Sequence, residues 1–318
     1  MPTELSVVSN EHGSSHEVEV AKDLPLAVIV VNWNGRALLP DCFASLQDAR
    51  YKNVRVVMVD NGSEDDSVAW TRQWHPEVEI IETGANLRWA GGNNVGLRYL
   101  SREGFTGSIL LLNNDTIVPQ GSLSTMVQAL VADPAAWLVT PRICYASDPA
   151  TVWYDGGFVG RWSGWVKHHG IRKLAGKLDP GQRYVGYATG CAMMLGSEVL
   201  AKVGELDEDF FFYGEDTDYS LRVTKMGGHI LHVPRALVLH KVSASLRGDS
   251  PRKCKLRTRS HIRLLRKHWP LRSWPLLVVS QLVYLTGHSV WRLWHGELAS
   301  ALAFWQGAGD ELSGRVAE

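Results

Sequence analysis

The chain has 318 residues, balances 33 Lys and Arg against 33 Asp and Glu, and contains four cysteines. Its length suits one large domain or two fused ones, and its charge balance argues against nucleic acid as the main partner. Cys42, Cys144, Cys191 and Cys254 form no CxxC pair, which offers no zinc site and fits a reducing compartment. No basic-then-apolar leader opens the sequence, so export is not expected.

Residues 1–24 are polar and mostly acidic and read as a disordered tail. LAVIVV (26–31) is a continuous, β-branched apolar run, as in a strand buried on both faces. Asn32-Trp33-Asn34-Gly35 ends it, and a helical pattern follows through Leu38, Leu39, Phe43 and Leu46. VRVVMVD (54–60) repeats the design and ends in Asn61-Gly62-Ser63 before another helix. VEII (78–81) reads as a third strand, a helix is expected from about Asn93 through Leu100, and SILLLNND (108–115) reads as a fourth strand. Strands alternating with helices at this spacing predict a parallel, doubly wound α/β sheet.

Beyond 137 the texture changes to short apolar runs among Gly, Trp and Asp, which predicts mixed sheet and loops. GYATGCAMML (186–195) pairs small residues with an apolar strand, so backbone is expected to approach another group closely there. A short helix over 197–203, a helix from about 215 to 226, and two strands near 229–232 and 236–240 complete this half.

Polar residues stand at the carboxyl ends of three predicted strands: Asn32 and Asn34, Asp60, and Asn113-Asn114-Asp115. Open α/β sheets bind ligands at that edge. Neither GxGxxG nor GxxxxGK[ST] is present, which speaks against nicotinamide cofactors and P-loop nucleotides. Gly91-Gly92-Asn93 opens a predicted helix and reads either as an anion cradle of backbone N–H groups or as a plain turn. Asn113-Asn114-Asp115 supplies the oxygen donors that a hard cation such as Mg²⁺ or Mn²⁺ prefers. In FFFYGEDTDYSLR (210–222), Glu215, Asp216 and Asp218 fit either an acidic helix N-terminus or an active-site carboxylate beside an apolar wall.

Taken together, VIVVNWNG, VVMVDNGSEDDS, GANLRWAGGNNVG, LLLNNDT, GYATGCAMML, GELDEDFFFYGEDTDYSLR and ALVLH resemble family 2 glycosyltransferases of the GT-A fold, most of all bacterial rhamnosyltransferase-like enzymes. The resemblance spans roughly 26–245. It implies a Rossmann-like, mostly parallel central sheet with a nucleotide-sugar-binding half (25–120), an acceptor and catalytic half (121–245), and a helical extension (246–318). Asp60 would bind the nucleotide base, with Asn32 and Asn34 lining the same pocket. Gly91, Gly92, Asn93 and Asn114 would lie on the donor side, where Arg88 either reaches the diphosphate or lies in solvent.

The resemblance further implies that Asp115 holds Mg²⁺ or Mn²⁺ and the sugar diphosphate. Asn113 stands in place of the motif's first Asp, and His240 completes the metal site. Asp216 would be the catalytic base, with Glu215, Asp218, Tyr213 and Trp153 on the acceptor side and FFFY walling the acceptor pocket. The implied reaction is inverting transfer from a dTDP- or UDP-sugar, with L-rhamnose the leading choice, to a polyprenyl-diphosphate-linked saccharide. A non-catalytic nucleotide-sugar-binding module is the alternative.

Residues 252–272 carry nine Lys and Arg and no acid, and lead into WPLLVVSQLVYLTGHSVWRLW (274–294). Tryptophans and arginines at its margins suit an interface, so a helix or hairpin lying on an anionic, cytoplasmic membrane face is expected, with a single span or a plain packing or dimerisation helix as alternatives.

Overall fold

The computed structural model describes residues 24–242 and 250–315. The expected acidic tail, apart from Leu24, lies outside the described residues, as does the boundary expected at 245–246.

Strands β1 (Leu26–Asn32), β2 (Val54–Asp60), β3 (Glu79–Glu82) and β4 (Ser108–Asn113) pair in parallel in the order β3-β2-β1-β4, with Asn32 level with Asp60 and Val31 level with Asn113. This register brings the polar strand ends to one edge. Alternate residues of β1 face opposite ways, as the pleat requires. Leu26, Val28 and Val30 join a core with helices α1 (Leu39–Asp48) and α4 (Ser122–Ala132). Ala27 and Ile29 join a second core with α3 (Arg88–Arg102), whose neighbour in sequence, α2 (Ser67–Trp74), flanks β2. The result is helices on both faces of a twisted sheet.

The second half extends the same sheet. Strand β11 (Ala192–Leu195) runs antiparallel between β4 and β6 (Ala136–Tyr145), and β12 (His229–His240) pairs in parallel with β6. The short β5 (Thr116–Ile117) pairs with the end of β12 and sets Thr116 opposite His240. Around this lie β7 (Asp148–Tyr154), the hairpin of β8 (Gly157–Val159) and β9 (Val166–His168), and β10 (Arg183–Tyr184). The two strands expected near 229–240 are one strand whose register slips between Val233 and Leu237, where Pro234 has no N–H to give the ladder. Helix α5 (Val199–Val203) and helix α6 (Glu215–Lys225) pack on the second core through Val199, Tyr219 and Val223.

Helices α7 (Pro251–His268), α8 (Trp274–Trp294) and α9 (Leu298–Leu312) form a bundle around Cys254, Leu265, Leu277, Leu285 and Phe304. Ser250 caps α7, accepting from the Lys253 N–H at 3.3 Å. A Cβ at Gly307 would sit 2.2 Å from the Lys255 carbonyl, so glycine permits the close α7–α9 approach.

Among the described residues, five of the nine cations in the basic block have carboxylate partners within the chain. Lys255 pairs with Asp310, Arg259 with Glu311, Arg263 with Asp209 and Glu311, Arg266 with Glu311, and Lys267 with Asp207 and Asp218. The anionic neighbours are carboxylates of the chain itself. No helix among the described residues is long and apolar enough to cross a membrane.

Candidate active site

The site grows from the strand edge. At the end of β1, Asn32 is fully buried; its Nδ2 donates to Asp60 Oδ1 at 3.3 Å and to Ser63 Oγ at 3.2 Å, and its Oδ1 accepts from Asn114 Nδ2 at 2.8 Å. The Asp60 carboxylate accepts from Ser63 N–H (2.9 Å) and Ser63 Oγ (2.6 Å). Asn34, at φ 49°, accepts from the Glu64 N–H at 2.7 Å. A Cβ at Gly35 would lie 2.3 Å from Asn114 Nδ2, so the NWNG turn needs its glycine to let this network close. Trp33 is 56% exposed beside it. Asn32, Asp60 and Asn114, with Asn34 joined through its N–H to Ser63 Oγ at 2.9 Å, therefore form one hydrogen-bonded wall at the strand edge.

Next to this wall, β5 pairing lays His240 against the loop that follows β4. His240 Nε2 and Asp115 Oδ1 are 3.1 Å apart and both residues are buried. Burial opposes charge on the imidazole, but Cys191 and Asp115 together hold it up to about 10. The Cys191 thiol, itself raised by burial, is neutral near pH 7, which leaves Asp115 as the operative partner. His240 Nδ1 is buried with no hydrogen-bond partner among the described residues. Asn113 is not open in the same way, since its Oδ1 accepts from Trp89 Nε1 at 3.0 Å.

Among the described residues no three His, Cys, Asp or Glu side chains group to hold a metal ion. One carboxylate and one imidazole in contact still fit a Mg²⁺ or Mn²⁺ site of the kind that takes few protein ligands and fills the rest with water and phosphate oxygens. Binding would displace the proton the pair now shares.

The corner Thr189-Gly190-Cys191 joins this pair to Asp216. The Gly190 N–H donates to Asp216 Oδ2 at 3.0 Å, while Thr217 N–H (2.6 Å) and Thr217 Oγ1 (3.2 Å) donate to Oδ1. A Cβ at Gly190 would meet the Trp89 ring at 2.7 Å, the close approach expected of the GYATGCAMML run. Helix α6 begins at Glu215 after Gly214 (φ 87°), so the acids do occupy a first turn. Burial raises Asp216 above the usual carboxylate range, and burial with the Asp216 charge pushes Glu215 up to about 8. Glu215 is therefore largely protonated near pH 7.

Asp216 faces a cavity of about 300 Å³ lined by Tyr213, Tyr187, His168, Trp165, Arg257 and Tyr284, among others. The Trp153 ring lies 4.6 Å from both His168 and His240, between the cavity wall and the Asp115 pair.

Three expectations are corrected here. Asp218 is not on the acceptor side. Two positions along a helix turn it ~200° from Asp216, where it is fully buried and accepts from His268 Nε2 (2.7 Å), Lys267 Nζ (2.8 Å) and Arg222 Nε (2.9 Å), clamping α6 to α7. Helix α3 starts at Arg88, five residues before the expected Asn93, so Gly91 and Gly92 are in its body and form no anion cradle. They are packing residues: a Cβ at Gly92 would meet Val31 at 2.7 Å, one at Gly91 would meet Leu87 at 2.8 Å, and buried Asn93 bonds back to the Trp89 carbonyl at 2.8 Å. Arg88 is exposed, with its guanidinium 3.3 Å over the Phe211 ring. Of FFFY only Tyr213 lines the Asp216 cavity, since Phe210 is buried and Phe211 lies under Arg88.

Sequence reasoning missed a charge hub below this cavity. Asp155, fully buried, accepts from Arg142 Nε (2.6 Å), Arg183 Nη2 (2.6 Å) and His232 Nε2 (3.1 Å). Its partners are scattered along 90 residues, so no local pattern announced it.

The glycosyl transferase family 2 model matches residues 27–202, more than half of the chain. The chain belongs to that family. This family 2 glycosyltransferase is 28% identical over 246 residues to the N-acetylglucosaminyl-diphospho-decaprenol L-rhamnosyltransferase of Mycobacterium tuberculosis, covering 70% of this chain and 78% of that one. It is 24% identical to the low-salt glycan biosynthesis hexosyltransferase Agl10 of Haloferax volcanii, over 63% and 62% of the two chains. Among solved structures it resembles the mannosyltransferase PcManGT of Pyrobaculum calidifontis in complex with GDP-Man and Mn²⁺ (TM-score 0.60, 16% identity, 92% and 88% coverage). It also resembles GalNAc-T7 with UDP, GalNAc and Mn²⁺ (TM-score 0.63, 16% identity, 91% and 57% coverage). Those likenesses give the family 2 glycosyltransferase its GT-A fold.

Proposed function

We propose that this enzyme transfers a sugar, L-rhamnose from dTDP-rhamnose, with inversion to a saccharide carried on a polyprenyl diphosphate, in cell-surface polysaccharide synthesis. One observation carries the catalytic part: the Asp115–His240 pair and Asp216 meet across the Gly190-Cys191 corner at the strand edge that also holds Asn32 and Asp60. The donor and acceptor classes rest on the mycobacterial relative, whose name states an L-rhamnosyl transfer to a decaprenol-linked sugar.

In this reading Asn32, Asp60 and Asn114 orient the nucleotide, and Asp115 with His240 would hold Mg²⁺ or Mn²⁺, which when bound would supply positive charge against the departing diphosphate. Asp216 takes the proton of the attacking hydroxyl, a sugar alcohol being a poor nucleophile near pH 7. Gly190 N–H and the Thr217 donors aim its carboxylate. Protonated Glu215 adds no second negative charge beside Asp216. Attack opposite the leaving diphosphate inverts the anomeric carbon.

The exposed apolar faces of α8 and α9, with Val279, Val283, Trp291 and Trp294 among them, support peripheral docking on the cytoplasmic membrane face. Because most of the basic block is paired internally, this docking rests on apolar contact and should resist high salt.

The test is transfer of labelled sugar from dTDP-rhamnose, with UDP-sugars as the comparison, to a polyprenyl-diphosphate-linked N-acetylglucosamine in the presence of Mg²⁺ or Mn²⁺. Asp216→Asn should lose ~10²–10⁴-fold in kcat while still binding donor. Equal turnover in variant and wild type would remove Asp216 as the base, and transfer from UDP-sugars alone would replace the donor.

A further inference from the structure

A second, larger cavity of about 560 Å³ adjoins the Asp216 cavity. It lies between the β8–β9 hairpin and α8, and the two share Trp165 and Tyr284, whose ring centroids are 6.3 Å apart. Its helix side is one stripe, Val283, Tyr284, Gly287, His288 and Trp291, spaced as residues on one helical face must be. Its cations are Lys167 and Arg292. Lys167 is exposed, stands 4.4 Å over the Trp165 ring, and has no carboxylate partner among the described residues. Arg292 is paired with Glu297 at the far end. Among the described residues no carboxylate lines this second cavity.

Next to the stripe, the outer surface of α8 is apolar and uncovered among the described residues, with Val283 61% exposed and Trp294 87%. The order from Asp216 outward is thus a cavity, a pair of aromatic rings, a cation without an acidic partner among the described residues, and an apolar strip.

Resting on the proposed transfer to a lipid-linked acceptor, we propose that this second cavity binds the acceptor's diphosphate and first isoprene units. Lys167 contacts the phosphate, the Trp165–Tyr284 pair marks the passage of the sugar toward Asp216, and the prenyl chain leaves along the apolar face of α8. Amphiphile chemistry matches each step of that order: a sugar at the carboxylate, an anion at the lysine, a hydrocarbon on the strip. A peptide or a nucleic acid strand would not need the anion site and the hydrocarbon strip in that sequence. The exposed strip itself continues to the membrane surface from which such a lipid is presented.

Gly287 gives a clean probe. A Cβ there would meet nothing within 4 Å, so a large side chain enters the cavity rather than the fold, and replacing glycine within a helix favours the helix. The experiment is calorimetric titration of the full chain with farnesyl diphosphate, farnesol and inorganic pyrophosphate, with dTDP-rhamnose titrated in parallel. Farnesyl diphosphate should bind at least tenfold more tightly than either fragment, and Gly287→Trp and Lys167→Glu should each weaken it at least tenfold, with the melting temperature of Gly287→Trp no lower than that of wild type. Wild type that binds dTDP-rhamnose but refuses farnesyl diphosphate would overturn the assignment, as would variants that bind it like wild type. So would sedimentation as a dimer that dissociates in Gly287→Trp, since a second copy would then be the occupant. Farnesyl diphosphate bound by a chain that refuses every nucleotide sugar would keep the cavity assigned and sink the proposed function instead.

Discussion

Replacing Asp155 by Asn tests the charge hub that holds the second half together. The substitution keeps volume and removes one charge from a side chain with no solvent exposure. Two guanidiniums then lose their counter-charge: Arg142, nearly buried, and Arg183, 29% exposed. Breaking a buried ion pair from one side costs ~3–5 kcal/mol; because water screens Arg183, the lower part of that range applies, about 3–4 kcal/mol. At ~2 °C per kcal/mol for a chain of this size, the melting temperature at pH 7 should fall by ~6–8 °C. Arg142 Nη2 also donates to the Asp179 carbonyl at 2.9 Å, so faster proteolysis over 160–182 should accompany the loss.

The pH dependence has a fixed sign. Burial alone would raise Asp155, but His232 and Arg142 hold it well below the usual carboxylate range. Its contribution is therefore complete above the unfolded value of ~4 and lost as pH falls further. Thermal denaturation by circular dichroism from pH 3 to 8 should show wild type and variant converging at the acid end. A drop below ~2 °C at pH 7, or two parallel curves, would refute the reasoning.

Glu215→Gln should stabilise the enzyme at pH 8. A carboxyl raised to about 8 penalises folding progressively as pH rises from ~4, so a gain of ~1–3 kcal/mol should appear in urea melts at pH 8 and vanish near pH 4; no gain would mean Glu215 is not strained by Asp216. For Asp218, burial alone would raise it, yet His268 and Lys267 bring it down to about 2. Asp218→Asn should cost ~2–3 kcal/mol at pH 7, read by urea melts, and wild type should lose that part only between pH ~4 and 2; an unchanged midpoint would remove the α6–α7 clamp. Gly190→Ala forces a methyl onto Trp89 at 2.7 Å and disturbs the N–H that holds Asp216. It should cost ~1–3 kcal/mol of stability and lower kcat ~10-fold or more. Adding Trp89→Leu should restore part of both, and no rescue would break the proposed link.

Much of the first half is legible without coordinates, because its signals are local. A buried parallel strand must be continuously apolar, and a polar residue at its carboxyl end must stand at the ligand edge, so LAVIVVN and VRVVMVD disclose both strand and site. Glycines that permit close approach are legible as type but not as partner: GYATGCAMML signals crowding, and only the fold names Trp89 as what crowds it. The start of α3 at Arg88 escaped because Trp89 and Leu87, the residues it packs, lie in a stretch whose turn-like Gly-Gly-Asn hides the helix.

By itself the sequence determined the order of strands and helices from β1 to β4, the polar strand ends, and the acidic turn that opens α6, since each depends on neighbours within a few residues. Tertiary structure alone decided which acid of that turn faces the cavity, because Asp216 and Asp218 differ only by their angle around the helix and by Lys267 and His268 some 50 residues away. It likewise decided that Lys255, Arg259, Arg263 and Arg266 of the basic block pair with Asp310 and Glu311, and that Asp155 gathers Arg142, Arg183 and His232. Charge meets charge through space, and the distance along the chain carries no trace of it.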